Sequence, residues 1–377
     1  MNKKMLTLAV AAAMAVPAAA IADATLYGRV HMSIDYVDVD RNASWVPGGV
    51  PAPGAQPDAV DGQGNLVPGK DFTGWNLNSN SRASRLGVRG SEELGFGLKA
   101  IYQIEFSVDI ANDGRDSAAW NGNRGTTLSM RNSFAGLAGD WGTLLAGRHD
   151  TPLKISTGKL DLFADTLADM NFTVGFDDLR ADNAVAYISP NFMGFQFSGM
   201  VMPTGGATFN GGRNLDADSL AEAWSVAGIY NNGPFFVSLA YETLDSDQWQ
   251  GTGQTGAKSF DKWRVGLGLL DWNGFTLTGL YENWANYRGL DKADADLWQI
   301  QAGYAFGNNM VKAMYGQSDL DWDRRIYGDV ADKSSWAVGF DHNFTKRSKA
   351  YVLYTQMDDD VRDADWSGFS LGMVHSF

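Results

Sequence analysis

From Thr25 to Phe377, apolar and polar positions alternate with a period of two in one segment after another. In Leu98–Phe106 the apolar set is Leu98, Ala100, Tyr102, Ile104 and Phe106, set against Lys99, Ile101, Gln103 and Glu105. Phe275–Glu282, Trp298–Phe306 and Trp336–Phe344 repeat the pattern. The C-terminal stretch places Phe369, Leu371, Met373 and Phe377 on one face and Gly368, Ser370, Gly372 and Ser376 on the other. Such alternation is that of strands with unlike faces, and no segment sustains a 3.6-residue period. The last strand, ending on an aromatic residue, is about a dozen residues long, whereas soluble strands are mostly about five or six. A tilted strand that crosses a bilayer needs roughly 9–11.

The connections alternate in length. Gly139-Asp140-Trp141, Asn231–Pro234, Asp271–Gly274, Gly307-Asn308-Asn309 and Thr345–Ser348 read as tight turns, with longer Asp-, Gly- and Asn-rich segments between them. Short turns at one end and long loops at the other are the habit of outer-membrane barrels. Sixteen strands are expected, starting near residues 24, 81, 97, 127, 142, 182, 195, 221, 234, 259, 275, 294, 310, 333, 349 and 366. The expected fold is all-β: a 16-stranded antiparallel transmembrane β-barrel. Its polar face, rich in Gly, Gln, Lys and Arg, is too wet for a packed core, so the apolar face is expected to meet lipid. Aromatic residues near strand ends, among them Trp141, Phe195, Trp224, Trp263, Trp272, Phe344 and Trp366, suit the two interfacial girdles. Gly28, Asn132 and Gly136 are expected to face outward on the early strands, where small or polar groups favour contact with another copy.

Composition refines this. Met1–Ala22 has Lys3 and Lys4, an apolar run and small residues before Ala22, the pattern of a secretory leader cleaved after Ala22. Removing 22 of 377 residues leaves 355 and takes the net charge from −14 to −16. That is about 22 residues per strand and connection, which suits strands of roughly ten. Mean hydropathy is −0.24, as expected when lipid-facing and lumen-facing residues average out. With no cysteine there is no disulfide or thiol chemistry, and an acidic chain lacks a nucleic-acid footprint. The stretch Asp38–Asn80 holds prolines 47, 51, 53, 57 and 68 and reads as a long, mobile external first loop.

Several motifs carry a family resemblance. They are Ala24–Arg29, Ser84–Gly95, Met130–Leu137, Gly142–Arg148, Asn183–Tyr187 followed by Pro190–Gly194, and Gly372–Phe377. Taken together along the chain, these resemble the Gram-negative general diffusion porins of the 16-stranded, trimeric type. The resemblance implies a homotrimer in the outer membrane, a third loop folded into the lumen, and passive diffusion of small hydrophilic solutes and ions. The enterobacterial branch carries Pro-Glu-Phe-Gly in that loop, and this chain has Asp169–Gly175 instead. The resemblance matches Arg29, Arg85, Arg131 and Arg180 to the basic wall of a constriction, which Arg82, Arg89 and Lys99 could extend. Asp161, Asp165 and Asp169 would form its acidic loop side; their spacing would put them on one helical face, but like charges there repel, so a stable isolated helix is not expected. By parity, Arg29, Arg85 and Arg131 lie opposite Leu26, Leu86 and Phe134.

Other chemistry is thinly supported. His31, His149, His342 and His375 lack metal-ligand spacing. No nucleophile elbow is present, and no cofactor motif: Gly253–Lys258 only echoes a phosphate loop. Asp319–Asp323 opens like a calcium loop but has Arg324 where glycine is required. It reads, with Asp358–Asp365, as an acidic external loop. A channel selective for organic acids or other small anions is the alternative within transport. An outer-membrane enzyme or adhesin is the alternative of another class. The charge of −16 predicts an electronegative mouth and the arginine wall argues the other way at the narrowest place; weak cation preference is expected, because loop acids outnumber loop bases along the approach.

Overall fold

Eighteen strand segments form one antiparallel sheet, and two pairs of them continue one another, so the barrel has sixteen strands. The computed structural model describes residues 24–39, 59–60, 66–67, 72–78, 82–111, 128–203, 219–246, 256–321, 332–359 and 365–377. The expected leader, Met1–Ala22, lies outside them. β1 is Thr25–Val39. β2 has two pieces, Phe72–Asn78 and Arg85–Gly95, and β3 is Leu98–Val108. β4 is also in two pieces, Leu128–Met130 and Ser133–Gly139. Then come β5 Gly142–Asp150, β6 Arg180–Ile188, β7 Phe195–Met202, β8 Ala223–Asn232 and β9 Phe235–Leu244. β10 is Phe260–Trp272, β11 Phe275–Ala285, β12 Asp294–Phe306 and β13 Asn309–Asp321. β14 is Asp332–Thr345, β15 Ser348–Asp359 and β16 Trp366–Ser376.

β1 closes the barrel. One edge pairs with β16, from Arg29↔Ser376 to Val39↔Trp366. The other pairs with both pieces of β2, Ser33↔Asn78 to Val39↔Phe72 and Thr25↔Arg89 to Arg29↔Arg85. Gly28 and Phe377 exchange two backbone hydrogen bonds, of 3.1 and 3.0 Å, so the terminal residue completes the seam. Among the described residues every barrel strand is paired on both sides, so the barrel wall has no open edge.

The faces divide as the alternation requires. Leu267, Leu277, Ile300, Val338 and Leu371 stand exposed on the outer surface, while Arg264, Thr278, Gln299, Gln301 and Lys312 are buried on the inner one. Near the long-connection ends, outward Trp and Tyr side chains pair across neighbouring strands. Trp224–Tyr241, Trp263–Tyr281, Trp298–Tyr315 and Trp336–Tyr354 have ring centroids 4.9–5.6 Å apart. Trp366 departs from the expected girdle. It shares the inner face with Gly368, is buried, and packs its indole NH against Met357 sulfur at 3.2 Å.

Three readings of the early strands are corrected. Phe72–Asn78, within the stretch expected to be loop, is strand, because its proline-free tail alternates and pairs with β1. Within the same stretch Ala59–Val60 pairs with Leu66–Val67. In β4, Met130 faces Phe106 but Phe134 faces Gln103, so three residues of β4 oppose two of β3. This bulge reverses the parity beyond it. Phe134 and Gly136 therefore share the inner face of Gln103 and Ile101, and Asn132 reaches the lumen-side carboxylate of Asp150 at 3.0 Å. Gly28 does face outward, but the ring of Phe377 covers it.

Candidate functional site

The segment 151–179, between β5 and β6, is the longest connection whose residues are all described. Thr151 caps a short helix α1, Pro152–Ser156, with proline in its first turn, where a missing N–H costs nothing. Leu153 is buried against Ala227 and Ala240, and its N–H donates to Ser225 Oγ at 3.1 Å. Gly158 turns the chain at φ +55, a conformation that suits glycine. Residues 161–169 do not form a helix, so the three carboxylates share no helical face; they wind as turns, with Asp165 at φ +61. A second short helix, α2 Met170–Thr173, starts at Asp169, whose side chain accepts from Asn171 N–H at 2.9 Å.

The segment is tied to the inner face of the far wall. Thr278 Oγ1 donates to Leu160 O at 2.7 Å, and Gln301 Nε2 to Asp161 Oδ1 at 2.9 Å. Lys312 Nζ donates to Leu162 O at 2.7 Å and pairs with Asp341 at 3.0 Å. Arg264, fully buried, is held by Glu282 at 2.6 Å and reaches Thr157 Oγ1 at 2.6 Å and Asp178 at 2.8 Å. Lys262 pairs with Glu242 at 2.9 Å and donates to Asp177 O at 2.8 Å. Buried charges are tolerable only when paired in this way, since an unpaired one keeps its full desolvation cost.

The acidic residues come together, though not as an open row. Asp165 N–H donates to Asp169 Oδ2 at 2.7 Å, and Asp161 Oδ1 accepts from Phe163 N–H at 2.9 Å. Burial pushes the Asp161 carboxyl up. Burial, and then the charges of Asp161 and Asp165, push Asp169 up to about 8. Asp169 thus keeps its proton at neutral pH. Asp165 is partly open and meets Arg29 at 2.9 Å.

Like Arg29, the other three arginines expected in the basic wall each have a carboxylate. Arg131 Nε lies 2.7 Å from Glu105 Oε1, and Arg85 Nε 3.8 Å from Glu105 Oε2, which also accepts from Tyr27 OH at 2.9 Å. Arg180 pairs with Asp150 at 2.9 Å and donates to Asn132 Oδ1 at 2.7 Å. Lys154 shares Asp150 at 3.3 Å. Arg82 is fully buried on Asp35 at 2.6 Å, with Ser33 at 2.8 Å. Arg89 stacks over the Tyr27 ring at 4.8 Å, and Lys99 pairs with Glu93 at 2.6 Å near the short-turn end. Of the expected acids and bases, then, only Asp165 and Arg29 touch. Glu105, Asp150, Lys154 and Asn132 were missed as site residues. Glu105 had the signal, an acid at an inward position of an alternating strand. Among the described residues, no group of three or more His, Asp or Glu side chains is arranged to hold a metal ion.

Comparison with known proteins places this architecture. Residues 7–376 match the family model described as Gram-negative porin. An outer membrane porin protein of Bordetella pertussis is 31% identical, with 100% of both chains covered. The anion-selective porin from Comamonas acidovorans superposes with a TM-score of 0.62 at 21% identity, over 94% of this chain and 99% of that one. The trimer form of OmpT, an outer membrane protein of Vibrio cholerae, gives 0.60 at 13% identity, over 94% and 99%. These two structural likenesses are of fold. A family match over nearly the whole length, on a closed barrel with an apolar outside and a charged inside, makes this chain a member of the Gram-negative porin family and a multi-pass protein of the outer membrane.

Proposed function

We propose that this chain forms a passive, water-filled channel for small hydrophilic solutes and ions, narrowed where segment 151–179 faces the basic wall, and that this narrowing favours anions. The barrel and its family support the channel. One observation carries the anion preference. Among the described residues, Arg29, Arg85, Arg131, Lys154 and Arg180 share only Asp165, Glu105 and Asp150, while Asp169 stays protonated. Arginine keeps its charge at any accessible pH. A ring of fixed cations at a narrow place lowers the barrier for anions and raises it for cations. This reverses the expectation from net charge, because that charge is spread over the whole chain while selectivity is set at the narrowest point. Zero-current potential in a KCl gradient across a planar bilayer tests it. A sign showing chloride preference is expected, and potassium preference would refute it.

The same pattern suits small organic acids, and permeation that saturated with one of them would favour the selective alternative. We further propose cleavage of the leader after Ala22 and assembly as a homotrimer. The trimer form recorded for OmpT of Vibrio cholerae, a protein of the same fold, supports assembly. Gly28, Asn132 and Gly136 lend the trimer no support. The mass of the native complex in mild detergent tests the trimer.

A further inference from the structure

Apart from Gly372, which Tyr351 covers, six glycines on the second half of the barrel face the lumen: Gly266 and Gly268 on β10, Gly303 on β12, Gly316 on β13, Gly339 on β14 and Gly368 on β16. None has a positive φ, so the backbone does not require glycine at these places. Space does. A methyl carbon on Gly266 would stand 2.5 Å from Leu160 Cδ1, and one on Gly268 2.7 Å from Leu160 Cδ2. On Gly316 it would lie 2.5 Å from Val174 Cγ2, on Gly339 3.0 Å from Phe163 Cε1, and on Gly368 2.6 Å from Leu167 Cδ2. Gly303 meets Leu162 Cδ1 at 3.2 Å, although Met310 of its own wall lies closer. Apolar side chains of segment 151–179 are thus seated on bare backbone along most of its length. Leu160, Phe163 and Leu167 are almost completely buried.

We propose that these glycines are positioning residues for permeation. Together they form a groove that sets how deeply the segment lies against β10–β16, and hence how far Asp165 reaches toward the basic wall and how wide the solute path remains. This rests on the reading that segment 151–179 narrows the lumen. The polar ties alone do not set that depth. Lys312, Gln301 and Thr278 are side chains that can follow a displaced backbone, whereas a wall of peptide groups cannot recede. An added methyl must displace Phe163 or the Leu167 side chain above it, and because both are packed and buried the displacement is passed on to the segment, which moves toward Arg29 and narrows the path.

The test is single-channel conductance of Gly339→Ala and Gly368→Ala, with Gly279→Ala as the control. Gly279 lies on β11 facing outward, and a methyl there would meet only Gln299 O, at 3.9 Å. Both inward variants are expected to conduct less than the parent, and the control the same. Pairing each with its complement, Gly339→Ala with Phe163→Ala and Gly368→Ala with Leu167→Ala, is expected to restore conductance. Phe163→Ala alone adds no crowding, so it reads the groove even where a glycine variant fails to assemble; it is expected to raise open-channel current noise as the segment loosens. Unchanged conductance in both glycine variants, or unchanged noise in Phe163→Ala, overturns the groove. Asp165→Ala separates the two ideas. If it changes conductance while the glycine variants do not, the groove is wrong and the narrowing stands. If neither class changes it, the segment does not narrow the path at all.

Discussion

Arg29 on the first strand and Asp165 in the β5–β6 segment, 136 residues apart in sequence, meet at 2.9 Å with both side chains partly open to the lumen. The pair joins the basic wall to the acidic stretch. Because it is exposed, its value for stability is small, about 0–1 kcal/mol. Its value for permeation is larger, because it neutralises a cation beside the path. Asp165→Asn is expected to strengthen chloride preference and Arg29→Ala to weaken it, with little change in unfolding for either. Zero-current potentials of the two variants, measured beside the parent, check this.

The Asp169 carboxyl, raised to about 8 by burial and by Asp161 and Asp165, gives a pH dependence with a definite sign. A raised carboxyl means that the folded state prefers the proton. Its contribution is complete below the ordinary carboxylate pKa, about 4, and is lost as pH rises through 8. Anion preference is therefore expected to fall between pH 7 and 9, and the segment to be held less firmly. Asp169→Asn is expected to flatten the response, with reversal potentials across that range as the readout.

The strand count and the start of nearly every strand were legible, because a barrel wall repeats one rule and each strand carries it alone. The inward direction of Arg29 and Arg85 followed from the same parity. A bulge breaks that rule without a sequence mark, so Asn132, Gly136 and Phe134 were assigned to the wrong face. The strand Phe72–Asn78 was hidden because it follows a proline-rich stretch. In the site, residue types could suggest acids facing bases. They could not show that Glu105 and Asp150 would take up the arginines, or that Asp161 and Asp169 would turn into the protein. Those partnerships join residues far apart in sequence, and no local pattern records them. The inward glycines were visible as alternation, but their occupants were not.

Arg264 is fully buried in the lumen between Glu282, Asp178 and Thr157. Arg264→Met leaves two carboxylates without their cation. It is expected to cost about 3–5 kcal/mol, the penalty for breaking one partner of a buried pair. Replacing Arg264 and Glu282 together by apolar residues is expected to cost less than Arg264→Met. Urea unfolding in detergent, followed by the mobility shift of the unheated barrel on gels, measures both.

Gly28 lies beneath the Phe377 ring and within 2.8 Å, at a would-be methyl, of Arg85 O. Gly28→Val must displace the terminal ring and crowd the β1–β2 pair. A loss of about 1–3 kcal/mol is expected from overpacking at the seam. Phe377→Ala removes the cover without crowding and is expected to cost less. The same unfolding assay ranks them.

The central claim is an open, water-filled path through a charged lumen, and single-channel current in a planar bilayer tests it most directly. The parent protein is expected to give stepwise currents, linear in voltage, whose conductance rises with KCl concentration without saturating. The absence of channels from correctly folded barrels, or a conductance that saturates at low salt, would contradict it.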